Sequence, residues 1–275
     1  MPSMNLFSAN VSAICLLGLI LISTLAGNAQ EIESPAISTE RPTVGDSPDL
    51  IPPGSLQFEN GAGVSFQRTQ FTGDLPETLV RLGLSERFEI RYMWSDEMYQ
   101  KSPTPHSASF QIMDPAFSVK LGLGKANQVV PRSAIVALSL PFGGPKWTSG
   151  SYDPAATAIW TQTIGKKYFV NEVAGATLTS LAGARRPSWA PSVAGGRSLT
   201  STVTAFAEYA PTVLQNGSLE YVVDGGFALI HKNLMQFDLR TGYLKDSDGY
   251  HTLITVGYSI RHDGFFPRLA HVSRR

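Results

Sequence analysis

Hydrophobic residues recur at every second position in segment after segment of this chain. In "RFEIRYMW", Arg87–Trp94, the residues Phe88, Ile90, Tyr92 and Trp94 alternate with Glu89, Arg91 and Met93. A period of two makes a β-strand with one apolar and one largely charged face. Leu56, Phe58, Ala62, Val64 and Phe66 alternate in the same way with Gln57, Glu59, Ser65 and Gln67. So do Val80, Leu82 and Leu84 with Arg81 and Gly83, and Phe117, Val119, Leu121 and Leu123 with Ser118, Lys120 and Gly122. In the second half, Val203, Ala205, Ala207 and Tyr209 flank Thr204, Phe206 and Glu208. Phe237, Leu239, Thr241 and Tyr243 flank Gln236, Asp238 and Arg240, and Ile254, Val256, Tyr258 and Ile260 flank Thr255, Gly257 and Ser259. Segments near 132–140, 154–163, 167–178 and 219–230 carry the pattern more weakly. The stretch 187–195 is weakest, because Pro187 and Pro191 cannot donate to a ladder.

The pattern predicts an all-β chain of about twelve antiparallel strands of roughly ten residues, the length that crosses a bilayer at a barrel's tilt. Strands of a sandwich are shorter, about 5–6 residues. The connections alternate in character. Ser85–Arg87, Gly124–Pro131, Ile164–Lys166, Gly195–Leu199 and His231–Asn233 form a shorter set; Thr69–Asp74, Ser95–Ser107, Pro141–Asp153, Thr179–Arg186, Ala210–Ser218 and Lys245–Gly249 form a longer one. Short turns at one end and longer loops at the other are the habit of transmembrane up-and-down barrels.

Which face points inward then decides the reading. If every apolar face meets one medium, the opposite faces carry Glu59, Arg81, Glu89, Arg91, Lys120, Glu208, Asp238 and Arg240. A hairpin centred on Lys232 adds Asp224, opposite Arg240. An Arg or Lys turned to lipid at mid-bilayer costs about 2–4 kcal/mol. In a membrane these nine residues must therefore face the lumen, where near-balanced charges can pair. A solvated sandwich surface could carry the same residues at no cost, so a soluble periplasmic barrel or sandwich stays open at this point. Trp94, Tyr209, Tyr221, Tyr243 and Tyr250 fall near loop ends, and Tyr168 and Tyr258 near turn ends. Two aromatic girdles would look like this, and so would ordinary strand preference.

Composition sharpens the choice modestly. Charged residues are 16% of the 275-residue chain, below the roughly 25% of an average soluble domain. Formal net charge is zero, so nothing points to nucleic acid. Ile14–Leu25, "ICLLGLILISTL", has the length of a signal-peptide h-region, and Gly27 and Ala29 supply small residues before a cut after Ala29. The first ten residues lack Lys and Arg, so an uncleaved N-terminal anchor is the alternative. The single cysteine, Cys15, lies in that leader; Ile14 before it does not fit a lipoprotein cleavage site, and the mature chain would hold no disulfide. No later stretch reaches the 18 apolar residues of a membrane-spanning helix.

Catalytic chemistry finds little support. "GLGKAN", Gly122–Asn127, has two glycines without a third, and no nucleophile elbow or phosphate loop occurs. His106, His231, His251, His262 and His271 are scattered without metal-ligand spacing. Ser109, His106 and Asp114 could make a hydrolase set on paper, but the sequence does not select them. "NGS" at Asn216 is a glycosylation sequon in form only. The expectation is no enzyme, no metal and no cofactor.

An ordered series of motifs is similar to a known family. "STERPTVGDSPDLIPPGSLQFENG" (Ser38–Gly61) resembles the N-terminal signature of the MetA-pathway-of-phenol-degradation outer-membrane "transporter" family, and "LVRLGLSERFEIRY" (Leu79–Tyr92) its charged hairpin. "LPFGG" (Leu140–Gly144), "AFAEYAP" (Ala205–Pro211), "DGGFAL" (Asp224–Leu229), "QFDLRTG" (Gln236–Gly242) and "VGYSI" (Val256–Ile260) follow in family order. The resemblance implies an outer-membrane β-barrel of a Gram-negative bacterium that passes small hydrophobic or aromatic compounds. It also implies contact with outer-membrane lipids and with the barrel-assembly machinery. Such barrels tend to end on an aromatic residue of the last strand; here Arg261–His262 stand at that place and "DGFFPRLAHVSRR" follows, so either the tail is tolerated or Phe265 or Phe266 substitutes. The expected layout is a leader over 1–29, an irregular lead-in over 30–54, a barrel over 55–261 and a tail over 262–275. A non-transporting envelope barrel, structural or recognising partners through its loops, is the alternative function. Asp224 with Arg240 is the expected best pair in a lumen network that narrows the pore.

Overall fold

The computed structural model describes residues 35–67, 70–94, 97–101, 108–145, 148–181, 184–267 and 269. The leader, the start of the lead-in and half of the tail lie outside the described residues. Seven strands occupy the first half: β1 (Leu56–Gln67), β2 (Gln70–Ser85), β3 (Phe88–Trp94), β4 (Glu97–Lys101), β5 (Ala108–Ile112), β6 (Ala116–Gly122) and β7 (Ser133–Ser139). Seven more complete it: β8 (Asp153–Ile164), β9 (Tyr168–Leu181), β10 (Ala184–Ser198), β11 (Val203–Val213), β12 (Leu219–His231), β13 (Met235–Asp246) and β14 (Gly249–His262).

All pairings are antiparallel, and β1 bonds both β2 and β14, so the sheet closes on itself. Twelve strands form the closed barrel. β4 pairs with the upper part of β2 and β5 with β4, so this hairpin continues the β3 and β6 strands past the rim.

Parity along the strands settles the facing. Phe88 and Ile90 are 50% and 40% exposed, whereas Glu89 is 0% exposed and Arg91 6%. Phe117, Val119, Leu239 and Val256 likewise face outward. Grease is outside and ionic groups are inside, the reverse of a soluble barrel.

One expectation is extended by the structure and two need correction. The stretch 187–195 belongs to a full strand, β10, of 15 residues. Pro187 lies beyond the last pair with β11, and Pro191 is accommodated by sharing a gap. β10 pairs with β11 at Trp189↔Val213 and again at Val193↔Tyr209; between them Pro191 falls opposite Pro211, and the two residues without N–H occupy one lapsed rung. Secondly, four of the longer loops are shorter than expected because the flanking strands run into them. β2 begins at Gln70, β9 runs to Leu181, β11 runs to Val213, and β13 and β14 meet at Asp246↔Gly249. At the other end β10 continues to Ser198, so the turn after it starts at Leu199, not Gly195. Hydrophobic alternation stops where a strand leaves its apolar surroundings, while the backbone ladder continues. Thirdly, the hairpin between β12 and β13 is centred on Asn233, with His231 paired to Met235. Lys232 and Asn233 take positive φ values of 50° and 59° there. Asp224 therefore stands opposite Gly242, and Arg240 opposite Gly226. The shift is by two residues, so Asp224 keeps its face.

Candidate functional site

The lumen is the candidate site, and the irregular lead-in fills much of it. Residues 35–55 enter at the end of the barrel where the turns 86–87, 165–167 and 232–234 lie. There Ile37 N–H bonds the Asn233 carbonyl at 2.7 Å and Arg261 holds the Pro35 carbonyl at 2.6 Å. The segment rises to a tip at Thr43–Asp46 and returns, with Gly54 N–H on the Gly83 carbonyl at 2.8 Å. Ile37, Thr39, Glu40, Ser47 and Ile51 are buried. This segment is a plug, covalently continuous with β1.

The plug rests on an ionic wall. Arg81, fully buried, donates from Nε to Glu89 Oε1 at 2.6 Å and from Nη2 to Glu89 Oε2 at 2.9 Å. Its Nη1 reaches Glu59 at 2.9 Å. Such two-pronged, charge-assisted bonds are the strong kind. Arg81 also bonds the Ser38 and Asp49 carbonyls of the plug, at 3.0 and 2.9 Å. On this wall Arg81, Arg91 and Lys120 are three cations facing two carboxylates, Glu59 and Glu89. Glu40 of the plug supplies the balance. Its Oε1 lies 2.7 Å from Lys120 Nζ, 3.3 Å from Arg81 and 3.6 Å from Arg91. Burial alone would push the Glu40 carboxyl up, but Lys120, Arg81 and Arg91 together hold it well below the usual carboxylate range. Asp46 pairs with Arg91 at 3.0 Å, and Asp49 with Arg132.

The charge pattern then reverses. Arg41 of the plug pairs with Glu77 and, at 3.3 Å, with Asp238. Burial works against its charge, yet Glu77 and Asp238 hold it more firmly protonated than usual. Glu208 accepts the Val44 and Gly45 backbone N–H groups at 2.6 and 2.8 Å, which fixes the tip. Gln236 donates to Thr39 at 2.7 Å.

Glycines on the lumen face clear space for this segment. A Cβ on Gly61 or Gly257 would stand 2.2 or 2.3 Å from the Arg41 guanidinium group, and one on Gly83 would stand 2.2 Å from the Pro52 carbonyl oxygen. The absence of side chains there is what admits the plug.

All nine charged residues expected in the lumen point into it. Glu59, Arg81, Glu89, Arg91, Lys120, Glu208, Asp224 and Asp238 are buried, and the Arg240 side chain is 15% exposed. The first five gather around Glu40. Glu208 and Asp238 hold the tip and Arg41. Asp224 and Arg240 approach to 3.6 Å, a diagonal ion pair without a hydrogen bond, and both Asp224 carboxylate oxygens lack a hydrogen-bond partner among the described residues. The best-bonded carboxylate–cation contacts thus involve Arg81, not Arg240. Of the paper hydrolase set, His106 and the Ser109 side chain lie outside what is described. Asp114 is committed to Gly143 N–H, the Thr148 hydroxyl and Ser149 N–H. Among the described residues, no group of three or more metal-ligating side chains is placed to hold an ion.

The opposite wall is neutral apart from Asp153 at the loop end of β8, which accepts the Ser180 N–H. On β7–β10 the lumen face carries Ile135, Ile159, Val173 and Ala194, all buried, with Thr157, Thr161 and Ser192 between them. Toward the turn end a cavity of about 340 Å³ lies between this wall and the plug, lined in part by Thr161, Phe169, Asn171, Phe206 and Ile37. Sequence reasoning missed the plug residues Glu40, Arg41, Asp46 and Asp49. The wall's unmatched cation and the lumen-face glycines could have shown them. It also passed over Phe206, an aromatic residue on the polar side of its strand.

No protein-family model matches the chain, and no curated protein sequence matches it. Solved structures do resemble it. The COG4313 outer membrane channel from Pseudomonas putida F1 aligns over 86% of this chain and 100% of that one, with a TM-score of 0.55 at 11% identity. The NanC porin aligns over 74% and 98%, at a TM-score of 0.48 and 10% identity. The CymD monoaromatic hydrocarbon channel aligns over 75% and 88%, at 0.40 and 8%. At these identities the first likeness shows the barrel fold.

Proposed function

We propose that this protein is an outer-membrane channel whose lumen is narrowed by its own N-terminal segment and which passes small hydrophobic or aromatic molecules. The observation that carries the reading is the inside-out barrel: an outer belt of Phe, Ile, Val, Leu and Tyr around a lumen of buried, paired charges. Apolar side chains exposed over the whole circumference are stable against lipid and unstable against water. Tyr168, Tyr243, Tyr250 and Tyr258 are outward-facing and exposed, in keeping with girdles at two interfaces. The motif series from Ser38 to Ile260 resembles that of the MetA-pathway family, and the fold shared with the COG4313 channel supports the same reading. Export by a leader cleaved after Ala29 and insertion by the assembly machinery complete the reading. Phe265 and Phe266, packed edge to face just after β14, are the aromatic residues that would serve as the insertion signal.

The passage runs along the neutral wall, because the ionic wall is occupied by the plug. Arg240, beside that wall, is expected to tune passage: Arg240→Ala should change solute uptake in reconstituted vesicles.

The test has two steps. Membrane fractionation with heat-modifiable gel mobility must place the protein in the outer membrane as a folded barrel. Vesicle swelling with neutral aromatic and aliphatic solutes must then exceed that of protein-free vesicles. A soluble product would overturn the membrane reading. An embedded barrel without flux would leave the second reading, a closed envelope barrel, which the plug's close fit against Glu208 favours.

A further inference from the structure

We infer that the cavity between the plug and the neutral wall is a binding site for a neutral, single-ring aromatic molecule bearing one hydrogen-bonding group. The inference builds on the channel reading above and places a station within that passage.

Three neighbouring strands form the floor. Gly196 of β10 pairs with Phe169 of β9 on one side and Phe206 of β11 on the other, and all three face the lumen. The Phe169 ring lies over Gly196, since a Cβ there would come within 2.1 Å of its Cζ. The missing side chain thus lets an aromatic ring lie flat against the wall, with a second aromatic residue beside it. Elsewhere the lumen face of these strands carries small, aliphatic or polar side chains. Two Phe residues at one level, over a glycine, are not needed to close the barrel, whose ladder is continuous there. Flat rings gain from offset or edge contacts with other rings, about 0.5–1.5 kcal/mol beyond the area buried.

The polar part of the site is neutral. Asn171 and Thr161 line the cavity, and their side chains make no hydrogen bond to any described residue. Asn171 can both donate and accept, so it suits a hydroxyl, which does the same. A carboxylate fits worse. The guanidinium groups at the rim are already engaged, Arg132 with Asp49 and Arg41 with Glu77 and Asp238. An added anion would therefore be desolvated without a free cation. The cavity, about 340 Å³, is ample, since one of about 150 Å³ already takes benzene.

The probes are benzyl alcohol, benzoate and cyclohexylmethanol, titrated by ligand-observed NMR into the detergent-solubilised full-length protein. Benzyl alcohol should bind saturably, cyclohexylmethanol several-fold more weakly, and benzoate at least tenfold more weakly. Phe206→Ala and Asn171→Ala should each weaken benzyl alcohol about tenfold. Phe206→Leu keeps most of the volume and should still lose several-fold, with heat-modifiable mobility confirming the barrel in every variant. Unsaturable benzyl alcohol, equal binding of benzoate, or indifference to both Asn171→Ala and Phe206→Leu would overturn the site. Parallel vesicle swelling separates the two readings. Saturable binding without flux would overturn the channel and leave the site, while flux without saturable binding would do the reverse.

Discussion

Two walls face each other across one lumen, and they are built on opposite terms. The wall of β1, β2, β3 and β6 is ionic, and the cluster around Arg81 on it is incomplete by itself: Arg81, Arg91 and Lys120 outnumber Glu59 and Glu89 there until Glu40 arrives from the plug. The wall of β7–β10 is neutral and complete: Ile135, Ile159 and Val173 pack on one another. Their outer surfaces are similar and largely apolar. The difference teaches that the barrel's closure and its occlusion are separable. Hydrogen-bonded ladders and outward grease make the cylinder, whereas charge bookkeeping on one inner wall seats the plug. Changes on the ionic wall should therefore move the plug and spare the cylinder, and changes on the neutral wall should do the opposite.

The hardest blow to that division is Glu40→Gln. It leaves Lys120, Arg81 and Arg91 short of one counter-charge in a buried site, a loss of about 3–5 kcal/mol when a buried pair is broken from one side. The plug should leave the lumen for much of the time, and ion conductance in planar bilayers should rise at least tenfold. Gel mobility should still show a folded barrel. Lys120→Met added to Glu40→Gln should return much of the occlusion, because removing both partners costs far less than removing one. Unchanged conductance in Glu40→Gln would show that the plug is not seated by charge.

Ile159→Ala makes the mirror case. Ile159 is 0% exposed, within the neutral cluster. Its truncation should cost about 2–4 kcal/mol of barrel stability, read as a lower unfolding temperature, with conductance close to that of the unaltered protein. A large conductance rise here would break the separation of the walls.

How far this division could be read from the chain is instructive. Alternation placed Glu89 and Arg91 on the face opposite Phe88 and Ile90, because a strand's two faces are fixed by parity alone and parity survives register errors of two residues. Asp224 shows the limit. Its face was legible, but its partner was not, because the turn's positive φ residues moved the centre of the hairpin by one position. Loop lengths were misread where ladders outlast their apolar surroundings, as in β9 and β10. The plug was the least legible part. Residues 35–55 have no period, and their place depends on groups far along the chain, such as Glu40 with Lys120 and Val44 with Glu208.

A smaller effect is expected from Gly257→Val. The new Cβ would stand 2.3 Å from Arg41 Nε and 2.8 Å from Asp238, so Arg41 must leave its niche. Overpacking of this kind costs about 1–3 kcal/mol. The tip should loosen while the Glu40 cluster stays docked, so hydrogen exchange at Val44 and Gly45 should speed up and exchange at Ile51, bonded to Glu89, should not. Equal acceleration at both would mean that the plug moves as one rigid piece.

The smallest effect is the one expected from acid. Glu40 has a folded-state pKa held far below its ordinary value of 4.5 by Lys120, Arg81 and Arg91 against the opposing effect of burial. A carboxyl with a depressed folded pKa contributes stability that is fully present above the unfolded pKa and fades only as pH falls below it toward the folded one. Between pH 8 and pH 5 both states carry Glu40 ionised, so its contribution to plug docking is constant. Glu40→Gln should thus raise conductance by the same factor at pH 8 and at pH 5. A plug that opened on acidification to pH 5, in the unaltered protein and not in Glu40→Gln, would show Glu40 picking up a proton there. Three cations around one carboxylate cannot allow that unless the cluster is looser than the 2.7 Å contact to Lys120 shows, and the ionic wall would then not be what holds the plug.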